Sequence, residues 1–283
     1  MSNDTLTPPP AAATPAPAPP STPPAAPKVV TTLLVVFGAI VVAWTLASGV
    51  LTTIAAAPSP RDTQTLPVAG VTRLEVDATR TDLDIVFADV DQATLEVTNW
   101  GRGVWQLTRD GDRLRVASPD VRWFSWPLFG EGDHATLTLP EKLSGVDAKL
   151  SLTAGSLTAS GSFGALSTEL AAGQLTVAGS ARTLDATVSA GSADLTLADV
   201  RQARLTLAAG ELVSRLTGTA PDRTTAEVSA GSLELTLPDV SYALRSNVSA
   251  GSLDHERLKT SSTASRSVSV EVSAGSASLR GRD

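Results

Sequence analysis

One six-residue phrase returns seven times along this chain, each time around a glycine. It reads LTAGSL at 152–157, LAAGQL at 170–175, VSAGSA at 188–193 and LAAGEL at 207–212. It then reads VSAGSL at 228–233 and 248–253, and VSAGSA at 272–277. The glycines Gly155, Gly173, Gly191, Gly210, Gly231, Gly251 and Gly275 stand 18, 18, 19, 21, 20 and 24 residues apart. A unit of about twenty residues cannot bury a core by itself, so the copies must stack on one another.

The copy at 228–240, VSAGSLELTLPDV, shows what each unit does. Val228 and Ala230 alternate with Ser229, and Leu233, Leu235 and Leu237 alternate with Glu234 and Thr236. Period two on both sides of a glycine predicts two short strands, each with one buried and one wet face. Gly231 sits where the chain must turn through a conformation that a Cβ penalises. Pro238-Asp239-Val240, like Ala198-Asp199-Val200, reads as the turn that ends the coil. Stacking would align Val188, Leu207, Val228, Val248 and Val272 in one interior column. Leu212, Leu233 and Leu253 would form a second column, and Ala190, Ala209, Ala230, Ala250 and Ala274 a third.

The repeat reaches further back than its glycines. The segment 74–95, LEVDATRTDLDIVFADVDQATL, aligns without a gap on 184–205, LDATVSAGSADLTLADVRQARL. Residues 68–97 therefore read as a degenerate first coil, with Thr81 at the glycine position. Two more strands are expected within 104–116, around a turn at 109–112. The predicted fold is all-β: a single-stranded parallel β-helix, or β-solenoid, of nine or ten coils. The handedness of ordinary parallel crossovers makes it right-handed.

Composition divides the rest. Residues 1–28 hold ten of the eighteen prolines, which strips the segment of donors, and they offer almost no large apolar side chain. They read as a disordered tail. From 29 to 57 the chain is apolar, and no charge falls between Lys28 and Arg61. As a helix this segment would be about 43 Å long, enough to cross the roughly 30 Å hydrocarbon core. It exceeds a signal-peptide core, so a retained single-span anchor in the lipid bilayer is expected, despite the cleavage-site look of Ala55–Ala57. Residues 58–67 read as a linker and 68–283 as the solenoid domain. The expected topology is a cytoplasmic tail with the solenoid outside the cell membrane. Asp4 and Lys28 cancel, so the whole net charge of −7 belongs to the part after the anchor. That charge argues against nucleic acid as a partner. With no cysteine, disulfides and thiolate metal sites are excluded.

Six of the eleven aromatics fall between Trp100 and Phe129, most densely in VRWFSWPLFG at 121–130. The aromatic insertion at 121–134 interrupts the repeat. It reads first as a cap over the solenoid end, where core and strand edges would otherwise be exposed. The alternative is a partner contact carried by Trp123, Phe124, Trp126 and Phe129.

Catalysis finds little support. Parallel β-helices that act on acidic polysaccharides need clustered Asp, Arg, Lys or His on neighbouring coils. Here His134 and His255 lie far apart and read as loop residues, and the outward serines recur in coil after coil, as structural residues do. Asp82, Asp84, Asp89 and Asp91 are the densest acids, but they lack the nine-residue calcium β-roll pattern. Thr158, Thr176, Thr196 and Thr236 do not make an ice-binding ladder, being interrupted by Ser214 and His255. No catalytic residue, cofactor or metal site is expected.

The recurring VSAGS-L-x-L phrase, the opening LEVDATRTDLDIVFADVDQATLEV and the GDRLRV at 111–116 resemble the bacterial "putative adhesin" β-strand-repeat domain of unknown function. That domain occurs in membrane-anchored envelope proteins, and the resemblance covers roughly 68–280. It implies a β-solenoid and carries over no binding residues. The expected function is a non-catalytic, membrane-anchored envelope protein presenting an adhesin-like scaffold or recognition surface. The partner would be an unidentified protein or a cell-wall glycan. The alternatives are an accessory of envelope-stress signalling and, further off, a polysaccharide-active enzyme.

Overall fold

The computed structural model describes residues 61–98, 104–119 and 133–282. The tail at 1–28, the apolar span at 29–57 and Trp123, Phe124, Trp126 and Phe129 lie outside the described residues. Among those described, no helix is long and apolar enough to cross a membrane. They are all-β apart from one 3-10 turn at Glu141–Leu143, and their seventeen strands belong to one sheet system.

The regular part follows the repeat. Strands β9 (Gly155–Leu170), β10 (Gln174–Val188), β11 (Ser192–Ala198), β12 (Gln202–Leu207), β13 (Glu211–Thr217), β14 (Arg223–Val228) and β15 (Ser232–Pro238) each lie parallel to a strand one repeat away. The pairing keeps register: Leu175 opposes Ala193, which opposes Leu212, which opposes Leu233. Each rung is thus two strands joined at a glycine corner, one before and one after it. Strand β10 continues from the side after Gly173 to the side before Gly191, and the last strand, β17 (Ser267–Arg282), runs through the corner at Gly275, so each serves both sides. Through them β10, β11, β13, β15, β17, β14 and β12 close into a parallel ring of seven strands. The predicted β-helix therefore fits loosely: a parallel stack at the centre, with extra strands around it.

The glycines are required by the stacking itself. A Cβ built on Gly191 would lie 2.3 Å from the carbonyl oxygen of Gly173, and one on Gly210 would lie 2.1 Å from that of Gly191. The column continues through Gly231 and Gly275 to Gly251, each meeting the backbone of the corner before it. At the degenerate corner Thr81 opposes Gly155, and the left-handed conformation moves to Arg80, at φ 53°. The alanine column needs correction. Ala190, Ala209, Ala230, Ala250 and Ala274 are exposed. Because the glycine bends the chain, the two residues before it both point outward, and alternation resumes only beyond the corner.

The ends depart further from a simple solenoid. Strands β2 (Arg73–Ala78) and β3 (Thr81–Ala88) form the degenerate rung. It is flanked on one side by β8 (Val146–Leu152) with β9. On the other side lie β6 (Arg113–Ala117) and β7 (Asp133–Pro140). The chain's second rung is therefore outside its first. Strand β16 (Ala243–Arg257) mirrors this at the far end, because β17 pairs with β14 and β15 on one edge and with β16 on the other. The interior column thus runs Val188, Leu207, Val228, Val272, Val248, with the last two exchanged relative to chain order. Val272 is fully buried and Val248 is 39% exposed.

Residues 68–97 also do not make a simple coil. Strand β4 (Gln92–Thr98) runs antiparallel to β7, although Ala93 and Leu95 are buried like their counterparts Ala203 and Leu205. The turn shows why: Val200 is buried inside a regular turn, whereas Val90 is 38% exposed where the chain reverses. The expected pair of strands within 104–116 is present, as β5 (Gln106–Asp110) antiparallel to β6. Residues read as the end of the linker form β1 (Arg61–Pro67), antiparallel to β4. The Gln64 side chain ties β1 to the start of β5. Its Nε2 donates to the Trp105 carbonyl at 2.7 Å and its Oε1 accepts from Leu107 N–H at 3.0 Å. Trp105, from the aromatic-rich region, is buried beneath.

Asp112 secures the same end. It accepts from Arg73 Nη2 at 2.8 Å and from Thr72 Oγ1 at 2.7 Å, which hold its carboxyl at a pKa of about 2. Its folded value is thus below the unfolded one, so this stabilisation is complete above roughly pH 4 and fades as pH falls toward 2. Urea midpoints of the native chain and Asp112→Asn should differ at pH 5 and converge by pH 2. A gap that persists in acid would refute the clamp.

Candidate functional site

Outward side chains on the strands before the glycine corner form a grid. Across a strand they alternate with core residues; from rung to rung they recur at the roughly 4.8 Å strand spacing. The middle column reads Arg115, Glu75, Lys149, Ser167, Asp185, Arg204. Its charges alternate wherever it is charged. Partners are also taken diagonally: Arg113 with Glu75 at 3.1 Å, Arg115 with Asp77 at 2.8 Å, and Lys149 with Glu169 at 2.9 Å. A slip by one rung would set like charges together, so the ladder helps to fix register between otherwise similar coils.

One stretch of this face is concave. A groove of about 350 Å³ is lined by Arg73, Glu75, Arg113, Asp147, Lys149 and Asp185, with Leu74, Ala148 and Leu166 among the residues between them. A second, of about 260 Å³, is lined by Ser151, Thr153, Glu169, Thr187 and Ser189 among others. The ion pair Lys149–Glu169 links the two, with one member in each. The hydrogen bond and charge of Glu169 raise the Lys149 pKa above its ordinary value, so the ammonium remains charged.

Asp147 is placed by a bulge. Register between β8 and β9 shifts between Val146 and Ala148. There the Asp147 carboxylate accepts from Ala165 N–H at 2.7 Å and from Arg182 Nη2 at 3.5 Å. Gly164 leaves the room: a Cβ on it would lie 2.2 Å from Asp147 Oδ1. Bulges commonly re-aim a side chain in this way. Here the bulge supplies a carboxylate to the groove.

The strands after the corner carry a second outward face. Ser156 donates to Asp82 at 2.7 Å, and Arg215 makes two contacts to Asp194, at 2.8 and 2.7 Å. Thr158 and Thr176 are in register neighbours. Ser214, expected to interrupt a threonine ladder, is instead fully buried.

Both histidines are on strands, not loops. His134 on β7 lies 3.6 Å from Asp84, while His255 is on the outermost rung β16. Asp82 and Asp84 belong to β3, whereas Asp89 and Asp91 lie at the following turn. Asp199, at the equivalent turn, accepts from Thr219 N–H and Oγ1 at 2.9 Å each, which lowers its pKa. Among the described residues, no three His, Asp or Glu side chains are grouped to hold a metal ion.

The described strands that flank the aromatic insertion in sequence are β6, which ends at Ala117, and β7, where Asp133 opposes Thr81 at the corner line. The groove was not anticipated as a site, because its members are dispersed in sequence. Lys149 and Glu169 are 20 residues apart, and Asp147 and Arg182 are 35 apart. Only superposing the repeats rung by rung gathers them.

No family model matches the chain, and no curated relative does. Among solved structures, the chain is similar to a "putative cell adhesion protein" from Clostridium sporogenes, at 11% identity and a TM-score of 0.37. That likeness covers 79% of this chain and 99% of the other. It is also similar to a "putative adhesin" from Bacteroides fragilis, at 11% identity and a TM-score of 0.44, covering 78% and 98%.

Proposed function

We propose that the chain is a non-catalytic recognition module, a right-handed β-solenoid held at the cell surface by a membrane span at 29–57. Its charge-ladder groove would contact a protein or a cell-wall glycan. The supporting observation is the groove's construction. Successive rungs supply Asp147, Lys149, Glu169 and Asp185 at strand spacing, on a floor that is already hydrogen bonded. Such a face offers an extended partner regularly spaced donors and acceptors with little side-chain entropy left to lose on binding.

The test uses the full chain carrying Lys149→Glu with Glu169→Lys, which reverses the two charges while preserving their pairing. With folding intact, retention on purified envelope glycan or on envelope protein from the native host should fall about tenfold, as when a charge pattern is made to repel its partner. Unchanged retention on both would reject the groove. Release of reducing ends from the glycan would reject the non-catalytic reading. Protease shaving of intact cells checks topology, since protection of residues 61–282 would place them inside.

A further inference from the structure

The two ends of the parallel stack are finished differently. Beyond β6 and β7, the near end continues into antiparallel β5 and β4, with β1 following β4. At the far end, β16 pairs only with β17 among the described residues. Its other edge leaves alternate N–H and C=O groups of a fifteen-residue strand without a ladder partner. The apolar inner positions are also incompletely covered: Val248 is 39% exposed, and Leu244 and Leu253 are only partly buried.

We propose that this edge docks onto the same edge of a second copy of the chain, antiparallel, about a two-fold axis at Ala250–Gly251. Head-to-tail stacking would set the parallel rung β16 against the antiparallel strands β4, β5 and β1 that finish the near end, whereas two far ends present like surfaces, and such an interface is isologous. The bend at the corner then selects the register. Placing corner on corner sets Ala250 opposite Gly251 and Val248 opposite Leu253 of the second copy.

The chemistry agrees with that register. Val248 and Leu253 both continue interior columns, because they oppose buried Val272 and Ala277. Opposed residues in an antiparallel pair share a face, so these two apolar groups would cover each other. On the outer face Arg245 falls diagonal to Asp254 and Asn247 falls opposite it, both short of the register shift between Asp254 and Arg257. The two-fold axis makes each pairing twice. The corner alone chose the register, yet no like charges face each other in it.

The chain contains no native cysteine, so cross-linking can be read cleanly on the full chain. A mixture of Ser249→Cys and Ser252→Cys chains places thiols on directly opposed residues, at a Cα separation of about 4.5–5.5 Å, suited to a disulfide. The mixture should form a covalent dimer under mild oxidation, while Thr196→Cys, on a mid-stack face, should not. In the same background, Arg245→Glu or Asp254→Arg alone should reduce the dimer about tenfold, since two exposed pairs become repulsive. Mixing the two charge variants should restore it, because a dimer of one with the other sets opposite charges at both pairings. Failure of the cysteine mixture to cross-link, or of the charge mixture to recover, overturns the proposal. Retained melting temperature in the charge variants separates loss of docking from loss of fold.

Discussion

Gly191→Ala should destabilise the domain by about 3 kcal/mol or more, whereas Gly111→Ala should cost only about 1 kcal/mol. Both glycines adopt positive φ, 104° at Gly191 and 60° at Gly111. The conformational penalty therefore applies to both and cannot separate them. The difference lies in what the new methyl would meet. At Gly111, in the exposed turn between β5 and β6, nothing comes within 4 Å. At Gly191 it would lie 2.3 Å from the oxygen and 2.9 Å from the nitrogen of Gly173. Those atoms belong to the backbone of the adjacent rung, which is held in turn by Gly155, so no rotamer can relieve the overlap. The rungs would have to part at the corner, weakening pairing on both sides of it. Urea midpoints of the two variants would check this. Equal losses would mean that the glycines serve the turn alone and that stacking does not require them.

Much of this was legible because the repeat encodes it. Alternation around Gly231 identified two strands per unit, and the glycine phrase located the corners. What could not be read was the order of rungs. Val248 and Val272 sit in nearly identical phrases, so local pattern assigns both to the core and says nothing about which lies between neighbours. Direction was hidden for the same reason. Ala93 and Leu95 match Ala203 and Leu205 and are equally buried, yet β4 runs antiparallel on β7. Period-two patterning specifies a face and leaves strand direction open. The groove escaped notice for another reason: Asp147, Lys149, Glu169 and Arg182 become neighbours only across rungs, and the bulge that turns Asp147 toward Arg182 has no local signature beyond Gly164.

The exchanged order of the last two rungs makes the second large effect testable with one pair of substitutions. If rungs followed chain order, Val248 would be interior and Val272 terminal, and an aspartate would be worse tolerated at 248. The observed pairing reverses this. Val272 opposes Val228 on one side and Val248 on the other and is fully buried. A carboxylate there would be enclosed without a counter-charge, costing about 3–5 kcal/mol. Val248, 39% exposed on the outermost rung, can turn an aspartate toward water, for a loss of about 1 kcal/mol or less. Val272→Asp should therefore unfold at a much lower urea concentration than Val248→Asp. The reverse ranking would restore chain order and remove β17 from between β14, β15 and β16. The same comparison bears on assembly. Val248→Asp puts a charge opposite Leu253 in the proposed two-fold contact, so it should abolish the cross-link between positions 249 and 252 while leaving the fold nearly as stable. An edge rung that tolerates aspartate in isolation but not in the dimer would show that exposure at Val248 serves docking, where a merely frayed end would lose nothing.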